Sequence, residues 1–138
     1  GPRQDPHGEA GVVAIFAGKL LNRELCTIYG TGMQTRDFVF VDDVASAFVA
    51  SIESGDGKLL NIGTGTETSI QYLYEEMALA SGIESAPEKG AERSGEIERS
   101  ALDPSLAEEI LGWSPQTSLR DGIHSTLEWF KSKKEETS

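Results

Sequence analysis

One stretch of the sequence, residues 28–44, restricts the possible fold more than any other. A short apolar segment leads into a glycine-rich turn, Arg36 then precedes a second apolar segment at residues 38–41, and two aspartates follow. Aspartates at this position can cap a helix and interact favourably with its dipole. Arg36 therefore lies where a turn meets a strand, at the edge of a predicted cleft. Its permanently charged guanidinium with five N–H donors suits a phosphate.

Strand and helix patterns alternate along the rest of the chain, which predicts an α/β fold with few strands and about five helices. The predicted helices cover residues 11–23, 42–54, 68–82, 103–112 and 118–133, and the predicted strands cover 26–29, 36–41 and 59–62. Asp42 is predicted as one N-cap, and Thr68 with Gln71 as a capping box. Residues 84–101 are predicted to be irregular, and the tail 131–138 to fray. Three short strands make a poor sheet, so we expect them to complete a sheet whose other strands lie outside this chain.

Length and charge exclude several classes of protein. The 138 residues suffice for one domain, and the net charge is −11, from 12 basic and 23 acidic side chains. Nucleic acid and anionic membrane are therefore not expected as partners, because both require a basic face. No apolar run approaches the ~18 residues that span a bilayer. The single cysteine, Cys26, cannot form an internal disulfide and is predicted to be a buried thiol, which favours a reducing, cytoplasmic setting.

The second glycine-rich turn, Gly63-Thr64-Gly65, follows a predicted strand and precedes a predicted helix. That context suits a phosphate cradle. However, the dinucleotide-binding pattern would need glycine where Thr68 stands, and the lysine of a P-loop is absent. A tight structural turn is the favoured interpretation.

Arg36 and Arg93 are the candidate anion contacts. Arg36 could bind a ligand, or it could form a structural ion pair with Asp37 or Asp43. Arg93 lies in the predicted irregular segment and could equally be a solvated loop residue. The residues alone leave these alternatives open.

No catalytic or metal site can be argued from the titratable residues. His7 with Glu9 and the distant His124 do not have the spacing of metal ligands. Two histidines in a flexible start and a late helix give no Ser-His-Asp arrangement.

Several weak motifs follow one another in a specific order: residues 1–6, 11–16, 27–30, 34–38, 61–65, 93–96 and 111–115. In order and spacing they resemble the C-terminal part of an extended short-chain dehydrogenase/reductase, a member of the NAD-dependent epimerase/dehydratase family, and are most similar to the UDP-glucose 4-epimerases. The resemblance implies that residues 1–138 are the nucleotide-sugar-binding region of an extended Rossmann-type fold. It also implies that the NAD-binding Rossmann domain precedes this chain.

The resemblance assigns the diphosphate and the ribose to three residues. Arg36 and Arg93 correspond to the two arginines that clamp the nucleotide diphosphate. Glu96 stands where the family has an acid that accepts hydrogen bonds from the ribose hydroxyls.

Five further residues are assigned to the same ligand by resemblance. Thr27, Ile28 and Tyr29 correspond to the strand that holds the uracil ring. The backbone at Gly11 and Val12 corresponds to a helix N-terminus beside the phosphates, which is a sensible anion site on physical grounds.

The resemblance places the chemistry outside this chain. The family's glycine-rich NAD loop and its Tyr-x-x-x-Lys pair would precede Gly1, so no catalytic, cofactor-binding or metal-binding residue is expected here. The implied reaction interconverts UDP-glucose and UDP-galactose by oxidation and reduction at C4. The parent is expected to be a homodimer, and the isolated chain to be inactive and self-associating. The alternatives are a nucleotide-sugar dehydratase or decarboxylase of the same fold, or a non-catalytic truncated remnant or interaction module.

Overall fold

The computed structural model describes residues 1–5 and 11–137, so the predictions made for His7 and Glu9 lie outside the described residues. Within these residues there are five helices: α1 (Val12–Leu21), α2 (Val41–Ala50), α3 (Ile70–Ser81), α4 (Ser105–Leu111) and α5 (Leu119–Thr137). Four short strands accompany them: β1 (Thr27–Tyr29), β2 (Thr35–Arg36), β3 (Thr68–Ser69) and β4 (Glu88–Gly90). The predicted α/β class with few strands and about five helices is confirmed.

The strands form two separate pairs. β1 and β4 are parallel, with Thr27 opposite Glu88 and Tyr29 opposite Gly90. β2 and β3 are antiparallel, with Arg36 opposite Thr68. The backbone at Tyr29 and at Arg36 is therefore fixed by residues far away in the sequence.

The main core is formed by α1, α3 and α5, which pack against β1. Helical spacing of apolar residues places one face of each helix inside, and the fully buried side chains include Phe16, Leu20, Leu73, Met77 and Leu127. The rings of Phe16 and Tyr74 meet edge to face with their centres 5.5 Å apart. Burial of each large apolar side chain contributes about 1.5–3 kcal/mol. Ile28 of β1 belongs to this core, which therefore fixes the position of the strand.

Two of the three predicted strands differ from the structure. Of the predicted strand 36–41 only Arg36 belongs to a strand, β2, and Val41 already begins α2; residues 59–62 are not paired with any strand in the described part of the chain. Both segments have the apolar, β-branched composition of buried strands, but composition cannot supply the neighbouring backbone that a strand requires. Two strands were not predicted: β3 lies where the start of a helix was expected, and the charged segment 88–90 pairs with β1 in spite of its composition.

Helix ends differ from the predictions by one or a few residues. α2 begins at Val41 with Phe40 at the N-cap position, so Asp42 is not the cap, although Asp42 and Asp43 do lie in the first turn. In α3 the cap is Ser69, whose Oγ accepts from the Tyr72 N–H at 3.1 Å, in place of Thr68. The predicted stop at Gly82 is confirmed, with φ of 70°. α5 continues to Thr137, so the tail is helical beyond the predicted end.

Candidate functional site

An open cleft of about 330 Å³ lies between the turn that follows β1 and the segment 92–99. Its volume is at the lower end of the range of small-molecule sites. The lining combines an aromatic ring, backbone and charged groups, from Tyr29, Gly30, Thr31, Met33, Gln34, Glu92, Glu96, Glu98 and Arg99. Two of the residues assigned by resemblance, Tyr29 and Glu96, therefore line the same cavity.

Arg36 lies beside this cleft and is held by segment 96–97, which contributes Glu96 to the lining. Its Nη1 donates to the carbonyl oxygens of Thr35 at 2.7 Å and Ile97 at 2.6 Å. Its Nη2 lies 3.5 Å from Glu96 Oε1. The guanidinium is held in one orientation, about 30% of the side chain is exposed, and part of its donor capacity remains for a ligand.

The predicted alternative partners of Arg36 are bound elsewhere. The Asp43 carboxylate is buried and accepts from the N–H groups of Gln116 at 3.1 Å and Thr117 at 3.0 Å. Asp37 is bound to the second glycine-rich turn, as described below. Glu96 is the acidic partner of Arg36.

Arg93 lies over the aromatic ring of Tyr29. The distance from the guanidinium carbon to the ring centre is 3.9 Å, which is a cation–π contact. Gln34 joins the two halves of the cleft, because its Nε2 donates to the Tyr29 carbonyl at 2.9 Å and lies 3.5 Å from Glu96 Oε1. The fold thus brings Tyr29, Arg36, Arg93 and Glu96 together from three separate segments.

The side chains of strand β1 point alternately to its two sides, one of which faces the core. A Cβ placed on Gly90 would lie 2.7 Å from Tyr29 Cδ1 and 3.0 Å from Thr27 Cγ2, so both side chains are on the side of Gly90. Ile28 points the other way into the core and is 3% exposed. Of the three predicted base contacts, Ile28 can therefore offer only backbone groups.

Gly11 and Val12 lie at the start of α1 and do not line the cleft. Gly11 is the N-cap residue and makes no side-chain cap hydrogen bond. The described contacts do not connect these two residues to Arg36 or Arg93.

The turn Gly63-Thr64-Gly65 binds a carboxylate of the chain itself. The N–H groups of Thr64 and Gly65 donate to the Asp37 carboxylate at 2.9–3.0 Å, and the Thr64 hydroxyl and the Leu102 N–H donate to it as well. Burial alone would raise the pKa of Asp37, but these hydrogen bonds outweigh it and lower the pKa below its ordinary value. The turn is a structural junction, and its donors are not available to a phosphate.

Three charged or polar residues at or beside the cleft are not among the site residues assigned from the sequence, although one of them lies in the motif 34–38. These are Gln34, which bridges the cleft, and the ion pair of Glu67 with Arg99. Hydrogen bonds from Arg99 and then from Thr35 lower the pKa of Glu67 to about 2. No local signal in the sequence marks this pair, because its members are 32 residues apart.

The comparisons identify the family. The sequence model of the GDP-mannose 4,6 dehydratase family matches residues 1–126. The chain belongs to this family of NAD-dependent epimerases and dehydratases. Over 134 residues the epimerase/dehydratase chain is 52% identical to UDP-glucose 4-epimerase of Mycolicibacterium smegmatis, covering 96% of this chain and 43% of that protein. The relatives also include dTDP-D-glucose 4,6-dehydratases.

Solved structures agree with this assignment. UDP-glucose 4-epimerase of Thermotoga maritima with UDP-glucose superposes with a TM-score of 0.95 at 43% identity, covering 96% of this chain and 43% of that one. The Thermus thermophilus UDP-glucose 4-epimerase in complex with NAD gives a TM-score of 0.84 at 39% identity, with coverages of 95% and 43%. The epimerase/dehydratase chain therefore spans less than half the length of these relatives and corresponds to the C-terminal part of Rossmann-type epimerase structures.

Residues 1–5 and 11–137 contain no cluster of three or more His, Cys, Asp or Glu side chains that could hold a metal ion. In the same part of the chain, no helix is both long and apolar enough to cross a membrane.

Proposed function

We propose that this chain is the nucleotide-sugar-binding part of an NAD-dependent UDP-sugar 4-epimerase, and that the parent enzyme interconverts UDP-glucose and UDP-galactose as a homodimer. The observation that carries the proposal is the convergence of Arg36, Arg93, Glu96 and Tyr29 at one cleft. The similarity to UDP-glucose 4-epimerases supports it.

In the proposed complex the two arginines bind the diphosphate. Arg36 is already held by the carbonyls of Thr35 and Ile97, so little side-chain entropy is lost when a phosphate oxygen binds. Arg93 is more exposed and reaches the same ligand from the Tyr29 side of the cleft. Each charge-assisted hydrogen bond of this kind contributes about 1.5–3 kcal/mol.

The base and ribose bind beside the diphosphate in this proposal. Tyr29 and Thr27 present side chains from β1, and Ile28 contributes backbone only. The Glu96 carboxylate accepts from the ribose hydroxyls. Gly11 and Val12, at the start of α1, are proposed to approach the phosphates through backbone N–H groups.

Tight binding of the nucleotide leaves the sugar free to turn. An epimerase must present both faces of the reacting carbon to the same groups, so the sugar itself cannot be held by many contacts. Binding energy from the remote diphosphate positions the substrate without immobilising the hexose. The residues of this chain bind and orient; none of them is proposed to transfer a proton.

NAD does not fit the glycine-rich turns of this chain. The dinucleotide-binding pattern is absent, and the N–H groups of the Gly63–Gly65 turn are occupied by Asp37. We therefore propose that NAD, which in this family supplies the oxidation and reduction of the sugar, is bound mainly by a domain outside this chain.

The alternative within the same family is a nucleotide-sugar 4,6-dehydratase or decarboxylase. The match to the GDP-mannose 4,6 dehydratase family model and the similarity to dTDP-D-glucose 4,6-dehydratases support this second candidate. Both reactions use the same diphosphate clamp, so the cleft alone does not distinguish them. A non-catalytic remnant is the third candidate.

A substrate comparison on the full-length protein tests the proposal. UDP-galactose and dTDP-glucose are supplied separately, and formation of UDP-glucose or of a 4-keto-6-deoxy sugar is followed by NMR. We expect UDP-glucose from the first and no product from the second. A keto-sugar product would identify a dehydratase, and binding of UDP without turnover would indicate the remnant.

A further inference from the structure

The Glu67 carboxylate joins two parts of the chain that lie beside the cleft, β2 and the segment that contains Arg99. It accepts from Thr35 Oγ1 at 2.7 Å and from Arg99 Nε at 3.0 Å, and it also accepts from Arg99 Nη2. Thr35 begins β2, and Arg99 belongs to the irregular segment that forms the other wall of the cleft. Three donors from two directions therefore converge on one carboxylate.

Both parts that Glu67 connects hold Arg36. The carbonyl of Thr35 and the carbonyl of Ile97 accept the two short hydrogen bonds from Arg36 Nη1. A backbone hydrogen bond of 2.8 Å from the Thr35 N–H to the Glu98 carbonyl joins the same two segments. The orientation of the Arg36 guanidinium thus depends on how β2 and segment 96–99 sit relative to each other.

Stability alone is a poor explanation for this arrangement. The Arg99 side chain is 78% exposed, and exposed ion pairs usually contribute little to the free energy of folding. Segment 91–104 contains no helix or strand that would fix its position by itself. The contacts of Glu67 with Thr35 and Arg99 can, however, hold this segment in place against β2.

We infer that Glu67 is a positioning residue for the diphosphate clamp: by binding Thr35 and Arg99 together, it fixes the two carbonyls that orient Arg36 and sets the distance between Arg36 and Glu96. This inference rests on the proposed function, because it assumes that Arg36 binds the nucleotide. Glu67 itself does not contact the ligand.

The test is a set of variants of the full-length protein, with UDP binding measured by calorimetry. Glu67→Gln keeps the size of the side chain but removes its charge, and we expect the Kd for UDP to rise about threefold to tenfold. Thr35→Val should raise it in the same way, whereas Thr35→Ser, which keeps the hydroxyl, should bind as the wild type does.

Glu76→Gln is the matched control. Glu76 and Arg120 form a pair with the same two-point geometry, at 2.7 and 3.0 Å, but neither residue lines the cleft. We expect this variant to lower the melting temperature and to leave the Kd for UDP unchanged. If Glu67 had only a structural role, Glu67→Gln would behave like Glu76→Gln: it would lower the melting temperature and leave the Kd for UDP unchanged.

A double-mutant cycle with Arg36→Ala completes the test. If Glu67 acts through Arg36, Glu67→Gln should have little further effect on the Kd once Arg36 is removed. The inference would be overturned if Glu67→Gln left the Kd for UDP unchanged. It would also be overturned if the double variant raised the Kd by the product of the two single-variant factors, because Glu67 would then act independently of Arg36. If instead the wild-type protein does not bind UDP, or Arg36→Ala binds it normally, the proposed function itself fails.

Discussion

The guanidinium of Arg93 covers one face of the Tyr29 ring at 3.9 Å. The two residues lie 64 positions apart in the sequence, and their contact joins segment 91–104 to β1. A diphosphate would draw the cation away from the ring, because a doubly charged ligand attracts it more strongly than an aromatic quadrupole does. We therefore expect Arg93 to contribute to the binding of the phosphates and Tyr29 to the binding of the base.

Arg93→Ala should weaken UDP binding by about 1.5–3 kcal/mol, since a charge-assisted contact is lost. Uridine, which has no phosphate, should bind with unchanged affinity. Calorimetry with both ligands makes the comparison, and Tyr29→Ala should reduce the affinity for both. An equal loss for uridine and UDP in Arg93→Ala would mean that Arg93 acts on the base through the Tyr29 ring.

Arg36→Ala in the full-length protein should also weaken UDP binding by about 1.5–3 kcal/mol. Arg36→Lys keeps the charge, but its single ammonium nitrogen cannot bind the two carbonyls and lie beside Glu96 as Nη1 and Nη2 of Arg36 do, so it should recover only part of the loss. Arg23→Ala, a change at an exposed arginine outside the cleft, is the control and should bind normally. Normal binding by Arg36→Ala would reduce Arg36 to a structural partner of Glu96.

The 138-residue chain by itself should not interconvert UDP-galactose and UDP-glucose when NAD is added, because hydride and proton transfer are proposed to need residues outside it. A coupled assay against a blank measures this. Turnover above the blank would contradict the proposal that hydride and proton transfer need residues outside this chain.

Asp37→Asn should destabilise the protein at pH 7 by about 1 to 2 kcal/mol, allowing for solvent screening. The pKa of Asp37 is lowered in the folded state, so its contribution to stability is present above the unfolded-state pKa of about 3.9 and is lost as the pH falls through the folded value. The difference in unfolding free energy between wild type and variant should therefore decrease as the pH falls below the unfolded-state pKa. Urea unfolding at pH 7 and near pH 3 gives both values, and a constant difference would exclude ionisation as its source.

The isolated chain should self-associate through the apolar face of α2. Phe48, Val49 and Ile52 are 70%, 67% and 80% exposed, which is unusual for large apolar side chains clustered within a helix and the turn after it. Ile52→Ser should reduce association measured by light scattering. Leu79→Ser, at a similarly exposed leucine on α3, is the control and should have a smaller effect. A monomer at high concentration with protected amides in segments 38–41 and 59–62 would contradict this prediction.

The helices could be predicted from the sequence because their signals are local. Gly82 and Gly112 end α3 and α4 in left-handed conformations, and the periodic apolar residues identify the buried faces. The strands could not be predicted in the same way. Residues 38–41 have the composition of a strand but no partner, whereas the charged residues 88–90 form a strand because β1 offers them one.

Local sequence signals point to only part of the candidate site. Arg36 was a candidate from its position alone, but its acidic partner lies 60 residues further along, and no pattern in the sequence distinguishes Glu96 from Asp37 or Asp43. The Glu67–Arg99 pair depends in the same way on contacts between distant segments. Spatial neighbours of this kind become visible only in the folded chain.

The close approach of Gly90 to Tyr29 has an evolutionary consequence. Any side chain at position 90 would enter the space of the Tyr29 ring, since a Cβ there lies only 2.7 Å from Cδ1. Positions 29 and 90 should therefore covary among homologous proteins: a residue larger than glycine at 90 should accompany a smaller side chain at 29. Lineages that made this exchange would have reshaped the cleft at β1, where the base is proposed to bind, and we expect their preference among nucleotides to have shifted with it.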